Sequence, residues 1–85
     1  MAIFVDVREP EEYADSHVAG AINLPPAELM GDLRQLNGID KNEQLVLYCR
    51  TGNRSSAAMA LLRAKGYNNL VNGINQQRVE AKFNL

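Results

Sequence analysis

The sequence predicts an α/β domain built on a small, mostly parallel central sheet with helices on both faces. Two apolar runs carry this prediction, IFV at residues 3–5 and LVLY at residues 45–48. Both runs are continuous rather than alternating, which is typical of strands covered on both faces. Helical patterns lie between the strand candidates, and this alternation indicates βαβ units with parallel strands.

Residues 21–22 and 70–71 are shorter strand candidates. Proline suits the first turn of a helix, so a short helix is predicted from Pro10 to Asp15. A second helix is predicted to begin at Pro26 and to stop before Gly38. Its apolar face is formed by Leu29, Met30, Leu33 and Leu36.

The third predicted helix covers residues 55–65 and is amphipathic, with Ala57, Ala58, Leu61 and Leu62 on one side. Gly66 follows it and suits a left-handed helix cap. Residues 74–82 are predicted to form a last short helix. We find no repeat, low-complexity tract or linker in the sequence.

Length and composition predict a single domain over residues 1–85. The chain has 85 residues, of which 46% are hydrophobic, and this fits one compact domain. Nine basic and ten acidic side chains leave a net charge of -1, which gives no electrostatic reason to expect nucleic acid or an anionic membrane as partner. Nothing requires a second subunit, so we expect a monomer.

The sequence leaves the compartment open. No apolar run approaches the roughly 18 residues of a membrane span. Asp6 and Arg8 fall where a signal peptide would need apolar residues. We therefore expect either a cytoplasmic protein or a periplasmic one from which a leader has been removed.

The chain contains one cysteine, Cys49, and one histidine, His17. A single cysteine cannot form an internal disulfide or a CxxC redox or zinc motif. No metal-ligand spacing surrounds His17, which we interpret as a surface or packing residue. We expect neither a metal nor another cofactor.

The segment after the second apolar run is the candidate active-site loop. It joins the end of a predicted buried strand to a predicted helix and contains Cys49, Arg50, Thr51, Gly52, Asn53, Arg54 and Ser55. Ligands bind beyond the carboxyl ends of strands in open α/β sheets. A helix N-terminus favours an anion, and a loop containing glycine and asparagine can curl its N–H groups inward.

Cys49 is therefore predicted to be a reactive thiolate. Helix N-termini and basic neighbours lower a cysteine pKa from about 8.5 to about 3.5–7.5. The alternative is that Cys49 is an inert, buried small residue, which is the common state of a lone cysteine. Arg50 and Arg54 argue against this alternative, because two charged groups beside an inert thiol would lose hydration with no favourable interaction to offset that cost.

Three motifs resemble the rhodanese family of sulfurtransferases. They are the loop after Cys49, the segment VDVREPEEY at residues 5–13 and the segment HVAGAINLP at residues 17–25. Gly66 and Tyr67, followed by residues 70–71, resemble the turn into the last strand of that family. The resemblance covers roughly residues 4 to 73 and is closest in size to small stand-alone members of the phage-shock type.

The resemblance implies a rhodanese-like domain and a two-step sulfur transfer. Cys49 would attack a donor such as thiosulfate and hold the sulfur as a persulfide, against inward N–H groups of residues 50–54. A thiol, or cyanide in an assay, would then accept the sulfur. We assign the sulfonate end of the donor to Arg50, and we expect Arg54 to bind acidic groups at the far side of the loop.

Asp6, Arg8 and Ser55 are candidates for supporting the site. Asp6 ends a strand at the predicted site edge and could orient the loop or pair with an arginine. We favour a simpler interpretation, in which Arg8 forms a turn-stabilising pair with Glu11 or Glu12. The tail departs from the family: instead of a Gly-Gly pair and a tryptophan, the sequence reads NGINQQ at residues 72–77, and the acceptor stays open.

Three other functions remain alternatives. A cysteine phosphatase needs five residues between its cysteine and arginine, whereas four separate Cys49 from Arg54, and Ser55 stands where that arginine would be. A non-catalytic binding module is possible, because fold alone does not fix function. A redox sensor would lack an internal resolving cysteine.

Overall fold

The computed structural model describes residues 2–85 and contains four strands and four helices in alternation. They follow the order β1 (Ala2–Asp6), α1 (Pro10–Asp15), β2 (Ile22–Asn23), α2 (Pro26–Leu29), β3 (Gln44–Cys49), α3 (Asn53–Ala64), β4 (Leu70–Asn75) and α4 (Gln76–Phe83). A single 3₁₀ turn, Arg34–Leu36, lies between α2 and β3. Within the described residues, no helix has the length and apolar character needed to cross a membrane.

The strands form one parallel sheet in the order β2-β1-β3-β4, which confirms the predicted fold class. Each face carries its own apolar cluster. On one face Leu62 of α3 and Leu29 of α2 pack with Leu47 of β3. On the other face Val79 of α4 packs with Val46. Burial on both faces explains why the strands read as continuous apolar runs.

The predicted second helix is wrong beyond its first turn. Helix α2 ends at Leu29, and Leu33 has a left-handed backbone with φ of 55°. This reversal lets Leu33 and Leu36 reach the core, whereas Met30 is 73% exposed. An apolar pattern at helical spacing can also be satisfied by a turn followed by a 3₁₀ segment.

The predicted start of the last helix is also wrong. Strand β4 continues through Ile74 to Asn75, and α4 begins at Gln76. The pairing of β3 with β4 shifts by one residue between Leu47 and Tyr48, where Gly73 has no partner. Helix α3 begins two residues earlier than predicted, at Asn53. Each change places more regular structure beside the end of β3.

Candidate active site

Cys49 is the last residue of β3, an interior strand of the sheet. It lines a cavity of about 330 Å³ at the carboxyl edge of the strands. Cys49 is only 2% exposed, so reagents must reach it through this cavity. The cavity is lined by Arg8, Glu12, Asp15, Ser16, Cys49, Arg50, Asn75, Gln76 and Gln77.

The loop after Cys49 curls back so that backbone donors face the sulfur. Gly52 has a left-handed backbone with φ of 91°, a conformation that glycine adopts without strain. Its N–H group donates to Cys49 Sγ at 3.1 Å. The Ser55 hydroxyl lies 3.5 Å from the same sulfur, in the first turn of α3. The sulfur thus faces the N-terminus of a helix, where negative charge is favoured.

These donors set the pKa of Cys49. Burial acts to raise the pKa of the thiol, because it disfavours the charged form. Hydrogen bonds from the Ser55 hydroxyl and from the N–H groups of Ser55, Thr51 and Gly52 act in the opposite direction. The donors outweigh burial and lower the pKa of Cys49 to about 7, so much of the sulfur is ionised at neutral pH.

Asn72 of β4 braces the loop from the neighbouring strand. Its Oδ1 accepts hydrogen bonds from the Ser55 hydroxyl at 2.7 Å and from the Ile74 N–H at 3.0 Å. Its Nδ2 donates to the Gly52 carbonyl at 3.1 Å. Asn72 directly precedes Gly73, the residue that the register shift leaves without a partner in β3. Ile74 itself has a left-handed backbone with φ of 75°, which is rare for a β-branched residue.

The two loop arginines both meet Glu12 of α1. Arg54 donates to the Glu12 carboxylate at 2.7 and 3.2 Å, and Arg50 lies 3.7 Å from it. Arg54 does not line the cavity, whereas the 73% exposed side chain of Arg50 does. Of the two loop arginines, Arg50 therefore offers its charge to the cavity. Asn53, the first residue of α3, is exposed.

Asp6 and Arg8 form a partly buried ion pair, and Arg8 lines the cavity. Asp6 is fully buried, and its carboxylate accepts from Arg8 Nε at 2.8 Å and from the Tyr48 hydroxyl at 3.0 Å. Arg8 reaches the carbonyl of Ser16 as well, at 2.6 Å. The favoured interpretation of a pair between Arg8 and Glu11 or Glu12 is wrong, because Arg8 pairs with Asp6. Arg8 is thereby held in the cavity wall.

The loop between α1 and β2 carries His17 near its start. The His17 ring stacks on Tyr13 at 3.7 Å between centroids, and its Nδ1 lies 2.7 Å from the Tyr13 carbonyl. Asn23 donates to the carbonyls of Asp6 and Arg8 at 3.0 and 3.1 Å. These contacts hold the chain on the α1 side of the cavity.

Three site residues escaped the sequence analysis. They are Asn72, Glu12 in its role as the partner of the arginines, and Gln76, whose Nε2 donates to the Ser16 hydroxyl at 3.0 Å. Each acts across a long stretch of sequence. No local pattern marks these roles, although Glu12 lies in the segment at residues 5–13 that resembles the family, and Asn72 and Gln76 lie in the tail at residues 72–77 that departs from it.

Comparison with known proteins decides the family. The sequence profile of the rhodanese-like domain matches residues 1–76 of the chain. The chain belongs to the rhodanese-like family. Thiosulfate sulfurtransferase PspE of Escherichia coli is 38% identical over 69 residues, 81% of this chain and 65% of PspE. The chain thus spans slightly less than two thirds of that relative.

A solved structure and a second relative are also similar to this chain. A solved structure described as a rhodanese with anions from E. coli has a TM-score of 0.79 and 34% identity, and the match covers 92% of this chain and 91% of that one. The putative sulfur carrier protein YrkF of Bacillus subtilis is 29% identical over 68 residues, 80% of this chain and 35% of YrkF. The resemblance identified in the sequence is confirmed.

Proposed function

We propose that this rhodanese-like protein is a thiosulfate sulfurtransferase that carries sulfur as a persulfide on Cys49. The observation that carries the proposal is the set of inward donors around the sulfur, above all the Gly52 N–H at 3.1 Å. These donors support a thiolate at neutral pH, and the thiolate is the nucleophilic form of cysteine. The similarity to PspE, a thiosulfate sulfurtransferase, supports the choice of donor.

The first step forms one S–S bond and breaks another. The Cys49 thiolate attacks the outer, sulfane sulfur of thiosulfate through the cavity. The bond between that sulfur and the sulfonate sulfur breaks, and sulfite departs with the bonding electron pair. Cys49 is left as a persulfide whose outer sulfur carries the negative charge, so no external oxidant or reductant is needed.

In the second step Cys49 is the leaving group rather than the nucleophile. An acceptor thiolate or cyanide attacks the outer sulfur of the persulfide. The S–S bond to Cys49 breaks, and the Cys49 thiolate leaves with its electron pair. The loop donors that stabilise the resting thiolate also stabilise it as the leaving group, since leaving thiols of low pKa depart faster.

Arg50 is assigned the sulfonate end of the donor. Its guanidinium lines the cavity and is exposed, so it can turn from Glu12 toward an anion. Guanidinium groups bind planar or tetrahedral oxyanions through parallel N–H donors. Arg54 is assigned a structural role, because the guanidinium N–H groups that could bind an anion already donate two hydrogen bonds to Glu12.

Steady-state kinetics with thiosulfate and cyanide test the proposal. Double displacement predicts ping-pong kinetics. Double-reciprocal plots of rate against cyanide concentration, measured at several thiosulfate concentrations, should therefore give parallel lines. The Cys49→Ser variant is expected to fold and to have no activity above buffer. Intersecting lines would show that both substrates bind before reaction, and a turnover that survives the substitution would remove Cys49 from the reaction.

A sulfur-carrier or binding function is the second candidate, and the similarity to YrkF favours it. A carrier would accept sulfur on Cys49 but return it only to a protein partner. Efficient turnover with small thiols argues for the enzyme, whereas persulfide formation without such turnover argues for the carrier. A phosphatase is disfavoured by Arg54, which binds Glu12 rather than facing the cavity.

A further inference from the structure

The orientation of the Asn72 side-chain amide is fixed by the backbone. The Ile74 N–H can only donate, and the Gly52 carbonyl can only accept. Asn72 contacts both, at 3.0 and 3.1 Å, so its Oδ1 must face Ile74 and its Nδ2 must face Gly52. If the amide were rotated by 180°, its NH₂ group would face the Ile74 N–H and its oxygen would face the Gly52 carbonyl, and neither contact could be a hydrogen bond. The Ser55 hydroxyl therefore lies against an oxygen.

The Ser55 hydroxyl has one hydrogen and two acceptors within reach. Asn72 Oδ1 lies 2.7 Å from Ser55 Oγ, and Cys49 Sγ lies 3.5 Å from it. Because Oδ1 carries no hydrogen, its contact with Ser55 is a hydrogen bond only when Ser55 donates. The same hydrogen cannot serve the sulfur at that moment. Ser55 is fully buried, which confines its hydroxyl to these partners.

We propose that Asn72 is a positioning residue that acts on Cys49 through Ser55, by competing with the sulfur for the Ser55 hydroxyl hydrogen. The proposal rests on Cys49 being the reacting group of the proposed function. With the thiol protonated, Ser55 donates to Asn72. When the thiol releases its proton to solvent, the hydroxyl turns to the sulfur, since an ionised acceptor makes the stronger bond.

Asn72 is suited to release and recapture this hydrogen. Its Oδ1 keeps the Ile74 N–H in both states, so no buried acceptor is left unpaired when Ser55 turns away. Loss of the hydrogen bond from Ser55 to Asn72 makes ionisation of the Cys49 thiol less favourable, and it thereby keeps the pKa of the thiol from falling further. A moderately acidic thiol is the better attacking group, because nucleophilicity falls as the pKa falls.

A double-mutant cycle on thiol ionisation tests the proposal. Cys49 is the only cysteine of the chain, so thiolate absorbance or the pH dependence of alkylation reports this group alone. The four proteins are the wild type, Asn72→Ala, Ser55→Ala and the double variant. Asn72→Ala also frees the Gly52 carbonyl, but this loss occurs in both backgrounds and cancels.

The expected result is a coupling of defined sign. With Ser55 present, Asn72→Ala should shift the ionisation midpoint of Cys49 to lower pH, relative to the shift that the same substitution causes in the Ser55→Ala background. The difference between the two shifts should be about 0.5–1 pH unit. The charged groups around the sulfur stay constant in this comparison; they are Arg8, Glu12, Asp15, Arg50 and Arg54. Equal shifts in both backgrounds, or a coupling of opposite sign, would overturn the proposal.

Asn69→Ala is the matched control. Asn69 directly precedes β4 at its far end and donates to the Asn42 carbonyl at 3.1 Å, away from the cavity. Removing this amide should leave the ionisation midpoint unchanged. A shift as large as that of Asn72→Ala would mean that any loosening of this strand alters the thiol, and it would contradict a specific role for Asn72.

A second measurement needs no substitution at Asn72. The ¹³C chemical shift of the Asn72 side-chain carbonyl should move with pH at the midpoint of Cys49, because the carbonyl loses the Ser55 hydrogen as the thiol ionises. In Ser55→Ala the movement should largely disappear. Equal movement in both proteins would overturn the proposal. Neither readout uses turnover, so an absence of sulfur transfer would be distinguishable from a failure of the competition.

Discussion

The Arg54 guanidinium donates two hydrogen bonds to the Glu12 carboxylate, at 2.7 and 3.2 Å, and so links α3 to α1 at the cavity edge. The Arg54 hydrogen bond is the main reason that the pKa of Glu12 falls from 4.5 to about 2, against the opposing effect of burial. Arg54 thus binds an acidic group, as expected from the sequence, and it holds the site together from outside the cavity.

Glu12→Gln should lower stability at neutral pH, and the difference from wild type should shrink in acid. Glu12 has a depressed pKa in the folded state, so its contribution is complete above the unfolded value of about 4.5 and is lost as the pH falls through about 2. Urea midpoints measured from pH 7 downward test this. Asp32→Asn, which breaks an exposed pair with Arg34, serves as control and should change little. A gap that is constant with pH would contradict the account.

The rate of the first step should follow ionisation of Cys49. With the pKa of Cys49 at about 7, kcat/KM for thiosulfate should rise through neutral pH and level off above it. The rate of alkylation by iodoacetamide should give the same midpoint, because both reactions use the thiolate. A midpoint near that of a free cysteine in both assays would show that the loop donors do not lower the pKa.

Arg50→Ala should weaken the use of thiosulfate while leaving the fold intact. Loss of a hydrogen bond to a charged group costs about 1.5–3 kcal/mol, which corresponds to a roughly 10- to 150-fold lower kcat/KM for the donor. Most of the effect should appear in KM, since Arg50 is assigned to binding. Arg63→Ala, on the exposed last turn of α3, is the control. An unchanged KM would remove Arg50 from this role.

Gly73→Ala should destabilise the protein by about 1–3 kcal/mol through overpacking. A Cβ at Gly73 would lie 2.5 Å from Val79 Cγ2 and 3.0 Å from Val46 Cγ1, whereas a Cβ at Gly31 meets only an ordinary contact of 3.5 Å. Gly31→Ala is therefore the matched control and should be neutral or slightly stabilising. Thermal unfolding of both variants makes the comparison, and equal midpoints would mean that β4 can relax around Gly73.

The sequence predicts the parts of this fold that depend on local pattern. Continuous apolar runs indicate β1 and β3, and the alternation with helices indicates the parallel sheet. Cys49 could be placed at a strand end for the same reason. The break after Leu29 could not be predicted, because Leu33 adopts a left-handed backbone that its residue type disfavours. There tertiary burial overrides local preference.

The surroundings of Cys49 were only partly predictable. The inward loop follows from glycine at position 52 and the helix that starts after it. The contacts of Glu12 and Asn72 join residues far apart in sequence, and they depend on how α1 and β4 lie against the loop. The register shift directly after Asn72 leaves one residue, Gly73, unpaired, and no apolar pattern marks it.

Intact-mass measurement of the protein after brief exposure to thiosulfate tests the persulfide most directly. The account predicts that the wild type gains the mass of one sulfur atom, that added cyanide or a thiol removes it, and that Cys49→Ser gains nothing. A wild-type mass that stays unchanged under conditions where the thiol is ionised would contradict sulfur transfer through Cys49.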